Sequence, residues 1–147
     1  MEDKKNRFEV VLLGIIFDPS EKKILIGRRE NDPYMPELKW CFPGGRITVG
    51  NKVDEVLKQK IKLKTGYDVK NLGAVFYKIP KEKIDTLLVY FLCEIFDGEE
   101  KPGDDLVELK WVKPEELETY RKRPLNTRLK EYIMNLSGSA FEETSKK

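Results

Sequence analysis

The sequence predicts an α/β domain of the α+β type, a mixed β-sheet sandwiched by helices. Three observations carry this. β-rich apolar runs and helical patterns follow one another along the chain, with neither class dominating. At 147 residues, 39% hydrophobic and 37% charged, the chain is long and apolar enough to bury a core. No internal repeat, low-complexity segment or linker divides it, so one domain over 1–136 is expected. Residues 137–147 are small, polar and charged and read as a flexible tail.

Taken in order, Phe8 to Phe17 is an apolar, β-branched run ended by the turn residues Asp18-Pro19-Ser20. Lys23 to Arg28 alternates as the next strand and predicts a hairpin with the first. Glu30 to Glu37, with two prolines, reads as a loop, and Lys39 to Phe42 as a short strand running into Pro43-Gly44-Gly45. Lys52 to Thr65 carries two patterns. Lys58, Lys60, Lys62 and Lys64 alternate with Gln59, Ile61 and Leu63 as in a strand, whereas Val53, Val56, Leu57 and Ile61 form a helical stripe. The stripe, a capping pair of Asn51 and Asp54, and Gly66 at a C-cap position favour the helix. Strands follow at Val69 to Ile79 and Thr86 to Ile95, then a polar loop through Gly103-Asp104-Asp105 and a strand at Val107 to Val112. Pro114 to Thr119 opens a short helix, and Asn126 to Leu136 is an amphipathic one.

Composition excludes several functions. With 28 basic against 26 acidic residues, the net charge of +2 is too small to argue for nucleic-acid binding by itself. No apolar run approaches the roughly 20 residues of a membrane span, and the charged N-terminus carries no signal-peptide pattern. Cys41 and Cys93 sit in apolar surroundings and read as packed thiols of a reducing cytoplasm, not as a disulfide. The absence of histidine removes imidazole bases, histidine metal ligands and any Ser-His-Asp triad.

The stretch Trp40-Cys41-Phe42-Pro43-Gly44-Gly45-Arg46, followed by a helix ending at Gly66-Tyr67, resembles the frame of a Nudix box. Gly45 and Gly66 match that box's two glycines, with Ile61 at its buried aliphatic position. Leu25-Ile26-Gly27-Arg28-Arg29 together with the Trp40 to Arg46 segment is most similar to the GDP-mannose mannosyl hydrolase branch. The resemblance implies a Nudix fold, nucleoside-diphosphate chemistry, Mg²⁺ held by box carboxylates, and the family's tendency to form homodimers.

Residue by residue, however, those carboxylates are replaced. The first box Glu is Asn51, the Arg-Glu pair is Gln59-Lys60, and the Glu-Glu pair is Leu63-Lys64. The branch's histidine base has no counterpart. From Gly44 to Gly66 there are six basic residues against two acidic. Lys60 and Lys64 lie one helical turn apart on the face that should hold metal.

The expectation is a module that binds a nucleotide, nucleotide sugar or other diphosphate through Arg29, Arg46, Lys60, Lys64 and Trp40. Gly44, Gly45 and Gly66 then serve as structural glycines. No metal cofactor is expected, with Mg²⁺ entering only where residual hydrolysis persists. The alternatives are an atypical hydrolase using Asp105, also a candidate metal ligand, and Glu108 as catalytic residues, or an RNA- or protein-interaction module. Each residue also has a plainer reading: lysines as a solvated helix face, Trp40 as core, and Asp104 with Asp105 as a turn.

Overall fold

Alternation along one strand sets the layers. The computed structural model describes residues 7–30, 40–121 and 124–138. Most of the expected loop at 30–37 and most of the tail at 137–147 lie outside these residues. In β1 (Glu9–Asp18), Leu12 and Ile16 point into one hydrophobic cluster, whereas Ile15 points into another, with Leu13 and Phe17 packed against it. Successive residues of a strand face opposite sides of the sheet, so β1 is covered on both.

Seven strands are described: β1, β2 (Lys23–Arg29), β3 (Trp40–Cys41), β4 (Gly44–Ile47), β5 (Tyr67–Lys78), β6 (Thr86–Gly98) and β7 (Leu106–Val112). Their order is β3-β2-β1-β6-β5, with β4 on β1 and β7 on β2. The β1–β6 pair is parallel and the others antiparallel, so the sheet is mixed as expected. Helix α1 (Val53–Thr65) supplies Val56, Leu57 and Ile61 to the cluster of Leu12 and Ile16. Helices α2 (Leu117–Tyr120) and α3 (Thr127–Leu136) supply Leu117, Leu129 and Ile133 to the other.

Several local readings change. The glycines after Pro43 open a strand of their own that the local pattern did not signal: Gly44 to Ile47 form β4, paired with Val10 to Leu13. A Cβ on Gly44 would overlap the Leu12 carbonyl, so only glycine permits this approach. Asn51 does not cap α1. The N-cap is Lys52, with no side-chain cap bond, and the Asn51 amide instead donates to Thr48 Oγ1 at 2.6 Å within the preceding turn. Asp54 ion-pairs with Lys58 at 3.0 Å. Val53, expected in the buried stripe, is 43% exposed; burial begins one turn later, at Val56 and Leu57, and continues to Thr65. The helix expected at Pro114 begins as a 3₁₀ turn (Pro114–Glu116) before α2. Asn126 does cap α3, accepting from the Arg128 N–H at 2.9 Å.

The C-terminus of α1 matters most for the site. Gly66 adopts φ 83°, and its N–H bonds the Lys62 carbonyl at 2.9 Å. The loop after β6 then caps two more carbonyls of the last turn: Lys101 N–H to Thr65 O at 2.8 Å, and Gly103 N–H to Lys64 O at 3.1 Å. These bonds bring Asp105 to the end of α1.

A candidate anion-binding cavity

Strand β1 is shared. Its C-terminal end pairs with β2 at Phe17 and Asp18, whereas its N-terminal half pairs with β4. Where β2 and β4 part, a cavity of about 420 Å³ opens, floored by Val11, Leu13, Phe42 and Leu88. Charged side chains surround this apolar floor: Arg29, Arg46, Lys60, Lys64 and Lys83 against Glu9, Asp104 and Asp105.

Arg29 arrives by a register shift. The β2–β7 ladder slips between Arg28 and Arg29. Arg28 pairs with Glu108, Nε to Oε1 at 2.8 Å, while Arg29 lines the cavity. Lys60 and Lys64 arrive by helical spacing, and both line it. Gly45 allows the Lys60 stem to lie close, since a Cβ there would stand 2.8 Å from Lys60 Cδ. Lys58 and Lys62 leave the other way, to Asp54 and Asp68.

Two carboxylates organise the cations. Asp105 accepts from Arg29 Nε at 2.7 Å and lies 3.2 Å from Lys64 Nζ. Partial burial pushes its pKa up, but the charges and hydrogen bonds of Lys64 and Arg29 together outweigh this and hold it below 3.8. Glu9 lies 3.3 Å from Arg46 Nη1 and 3.5 Å from Lys83 Nζ. Lys60 has no hydrogen-bond or ion-pair partner among the described residues.

Not every expected residue is brought here. Trp40 does not line the cavity; its ring packs edge-on against Tyr120, centroids 5.5 Å apart, in the cluster of α2 and α3. Glu108 is also absent from the lining, because the strand register holds it against Arg28. Glu9 and Lys83 are present but were not expected. The parallel pairing of Glu9 with Thr86 brings the start of β1 beside the β5–β6 turn, a contact no local pattern signals. Neither cysteine is in a disulfide, and burial pushes the Cys93 thiol up to about 12.

A Mg²⁺ ion requires a shell of oxygen ligands, usually with at least one free carboxylate. The residues here do not fit it. The helix edge facing the cavity carries ammonium groups, Asp105 and Glu9 are each engaged by two cations, and Asp104 is left as a single carboxylate with no second free acid beside it among the described residues. Among the described residues no three His, Cys, Asp or Glu side chains converge as a metal site. No described helix is long and apolar enough to cross a membrane.

The NUDIX domain family model matches residues 7–136. An ADP-ribose pyrophosphatase from Methanocaldococcus jannaschii is 33% identical over 107 residues, covering 69% of this chain and 60% of that relative's length. A NUDIX hydrolase from Nitrosomonas europaea superposes with a TM-score of 0.71 at 17% identity, covering 88% of this chain and 72% of that one. An ADP-ribose pyrophosphatase from Streptococcus suis superposes with a TM-score of 0.63 at 23% identity, covering 89% and 91%. With the glycine frame, the mixed sheet and α1 in place, the chain belongs to the Nudix family.

Proposed function

We propose that this chain binds a nucleotide, nucleotide sugar or other organic diphosphate in the basic cavity, without the family's metal-dependent hydrolysis. One observation carries the reading. Lys60 stands at a box carboxylate position, lines the cavity and has no partner among the described residues. An unneutralised ammonium beside two arginines is a phosphate-recognition set, because guanidinium offers planar, paired donors and ammonium a point charge. The degenerate box and the retained cations are explained together. The motif likeness to GDP-mannose mannosyl hydrolases and the relative named as an ADP-ribose pyrophosphatase both support a nucleoside-diphosphate sugar as the first ligand to try.

The test is a thermal-shift screen of nucleoside diphosphates and nucleotide sugars, with and without Mg²⁺, followed by product analysis on every hit. Ligand at ten times Kd stabilises by about 1.4 kcal/mol, a rise of roughly 3–6 °C for a domain of this size. A shift in EDTA without turnover supports the proposal, and no shift with any diphosphate sinks it. Hydrolysis is the second reading, favoured by that relative's name and by Asp105 in the cavity. Steady turnover that requires Mg²⁺ would replace the first reading with it.

A further inference from the structure

The cavity's charges are grouped. Asp105 stands between Arg29 and Lys64, at 2.7 and 3.2 Å, on β2, α1 and the loop before β7. Glu9 stands between Arg46 and Lys83, at 3.3 and 3.5 Å, on β1, β4 and the β5–β6 turn. Each group is two cations around one carboxylate. Lys60 adds a third cation with no carboxylate of its own among the described residues. Of the described acids lining the cavity, Glu9 and Asp105 are each ion-paired, and the lining as a whole carries five basic residues against three acidic. Such a lining complements a compact dianion, with the apolar floor beneath it for the organic portion.

A divalent cation on the ligand would work against this lining. It occupies the same non-bridging phosphate oxygens that Lys60 and the arginines would contact. It also removes two negative charges from the ligand and places a dication among ammonium groups. We infer that the cavity takes its diphosphate uncomplexed and that Mg²⁺ opposes binding, the reverse of the family's metal dependence. This inference rests on the diphosphate-binding reading above and adds to it the chemical form of the ligand.

Titration calorimetry with ADP, in EDTA and then in millimolar Mg²⁺, tests it, with AMP as a probe that chelates Mg²⁺ poorly. ADP is expected to bind about tenfold more weakly in Mg²⁺, equivalent to about 1.4 kcal/mol, while AMP changes little. Equal or tighter ADP binding in Mg²⁺ overturns the inference and leaves the diphosphate reading standing. Equal weakening of ADP and AMP also overturns it, since that is ionic screening. If neither ADP nor any nucleotide sugar binds in either buffer, the diphosphate reading itself fails. A variant isolates Lys60. Lys60→Gln should keep the unliganded melting temperature and lose about tenfold in ADP affinity in EDTA; unchanged affinity would remove Lys60 from the site.

Discussion

Helix α1 has two working faces that obey different rules. One carries Leu57 and Ile61, both 0% exposed, packed on β1 and its neighbours. The other, about a sixth of a turn away, carries Lys60 and Lys64 to the cavity. Burying a large aliphatic side chain contributes roughly 1.5–3 kcal/mol and tolerates little change in shape. The cavity face contributes far less to folding, so its residues can change sign while the helix stays in place. Lys64 shows how: its side chain is only 12% exposed, yet Asp105 and the end of α1 accommodate its charge. In this chain one helix carries both a buried apolar face and a cationic face toward the cavity.

The sharpest way to break this comparison is to attack the buried face. Ile61→Ala should cost about 2–5 kcal/mol, the range for deleting a buried aliphatic group, measured by urea denaturation. A cost below about 1 kcal/mol would mean the buried face is not what holds α1. The next effect lies where the two faces meet the capping loop. Gly66→Ala forces a left-handed backbone on a residue with a Cβ and drives that Cβ into the Glu99 carbonyl. It should cost about 1–3 kcal/mol and disturb the loop that delivers Asp105.

Asp105→Asn probes the cavity face. Losing this partly buried pairing should cost about 1–2 kcal/mol at neutral pH, between the values for exposed and buried pairs. The sign with pH follows from the depressed pKa. The stabilisation is present above the unfolded value of 3.8 and is lost as pH falls through the lower folded value. Denaturation of both proteins at pH 7 and near pH 3 should therefore show the difference between them shrinking in acid. A difference independent of pH would assign the loss to packing. The smallest effect belongs to the solvent side: Lys58→Ala removes only the exposed pair with Asp54 and should cost about 0.3–0.5 kcal/mol.

Much of this was readable before the structure, and the failures share a cause. The order of elements along the chain, the α1 stripe from Val56 onward, its C-cap glycine and the lysines one turn apart are local patterns, and periodicity carries them. Gly44 proved to be strand. Its role depends on Leu12, more than thirty residues earlier. Asn51 had a capping sequence yet found a nearer partner in Thr48. Trp40 and Glu108 were reasonable site candidates on chemistry alone, and Tyr120 and Arg28 claim them. Both claims come from residues eighty positions away in the sequence, so no local pattern contained them.

By itself, then, the sequence determined that this chain builds a mixed sheet with helices on a Nudix frame, because hydrophobic spacing and glycine positions are properties of neighbouring residues. It also determined that Lys60 and Lys64 share one face of α1, because residue identity and helical spacing are written directly. Only the tertiary structure decided which cations are already neutralised. Asp105 meets Lys64 and Arg29 through a capping loop and a strand bulge, and Glu9 meets Arg46 and Lys83 through β4 and the turn before β6. Charge is additive along a chain, but electrostatic environment is set by distance in space, and here that distance left Lys60 without a partner among the described residues.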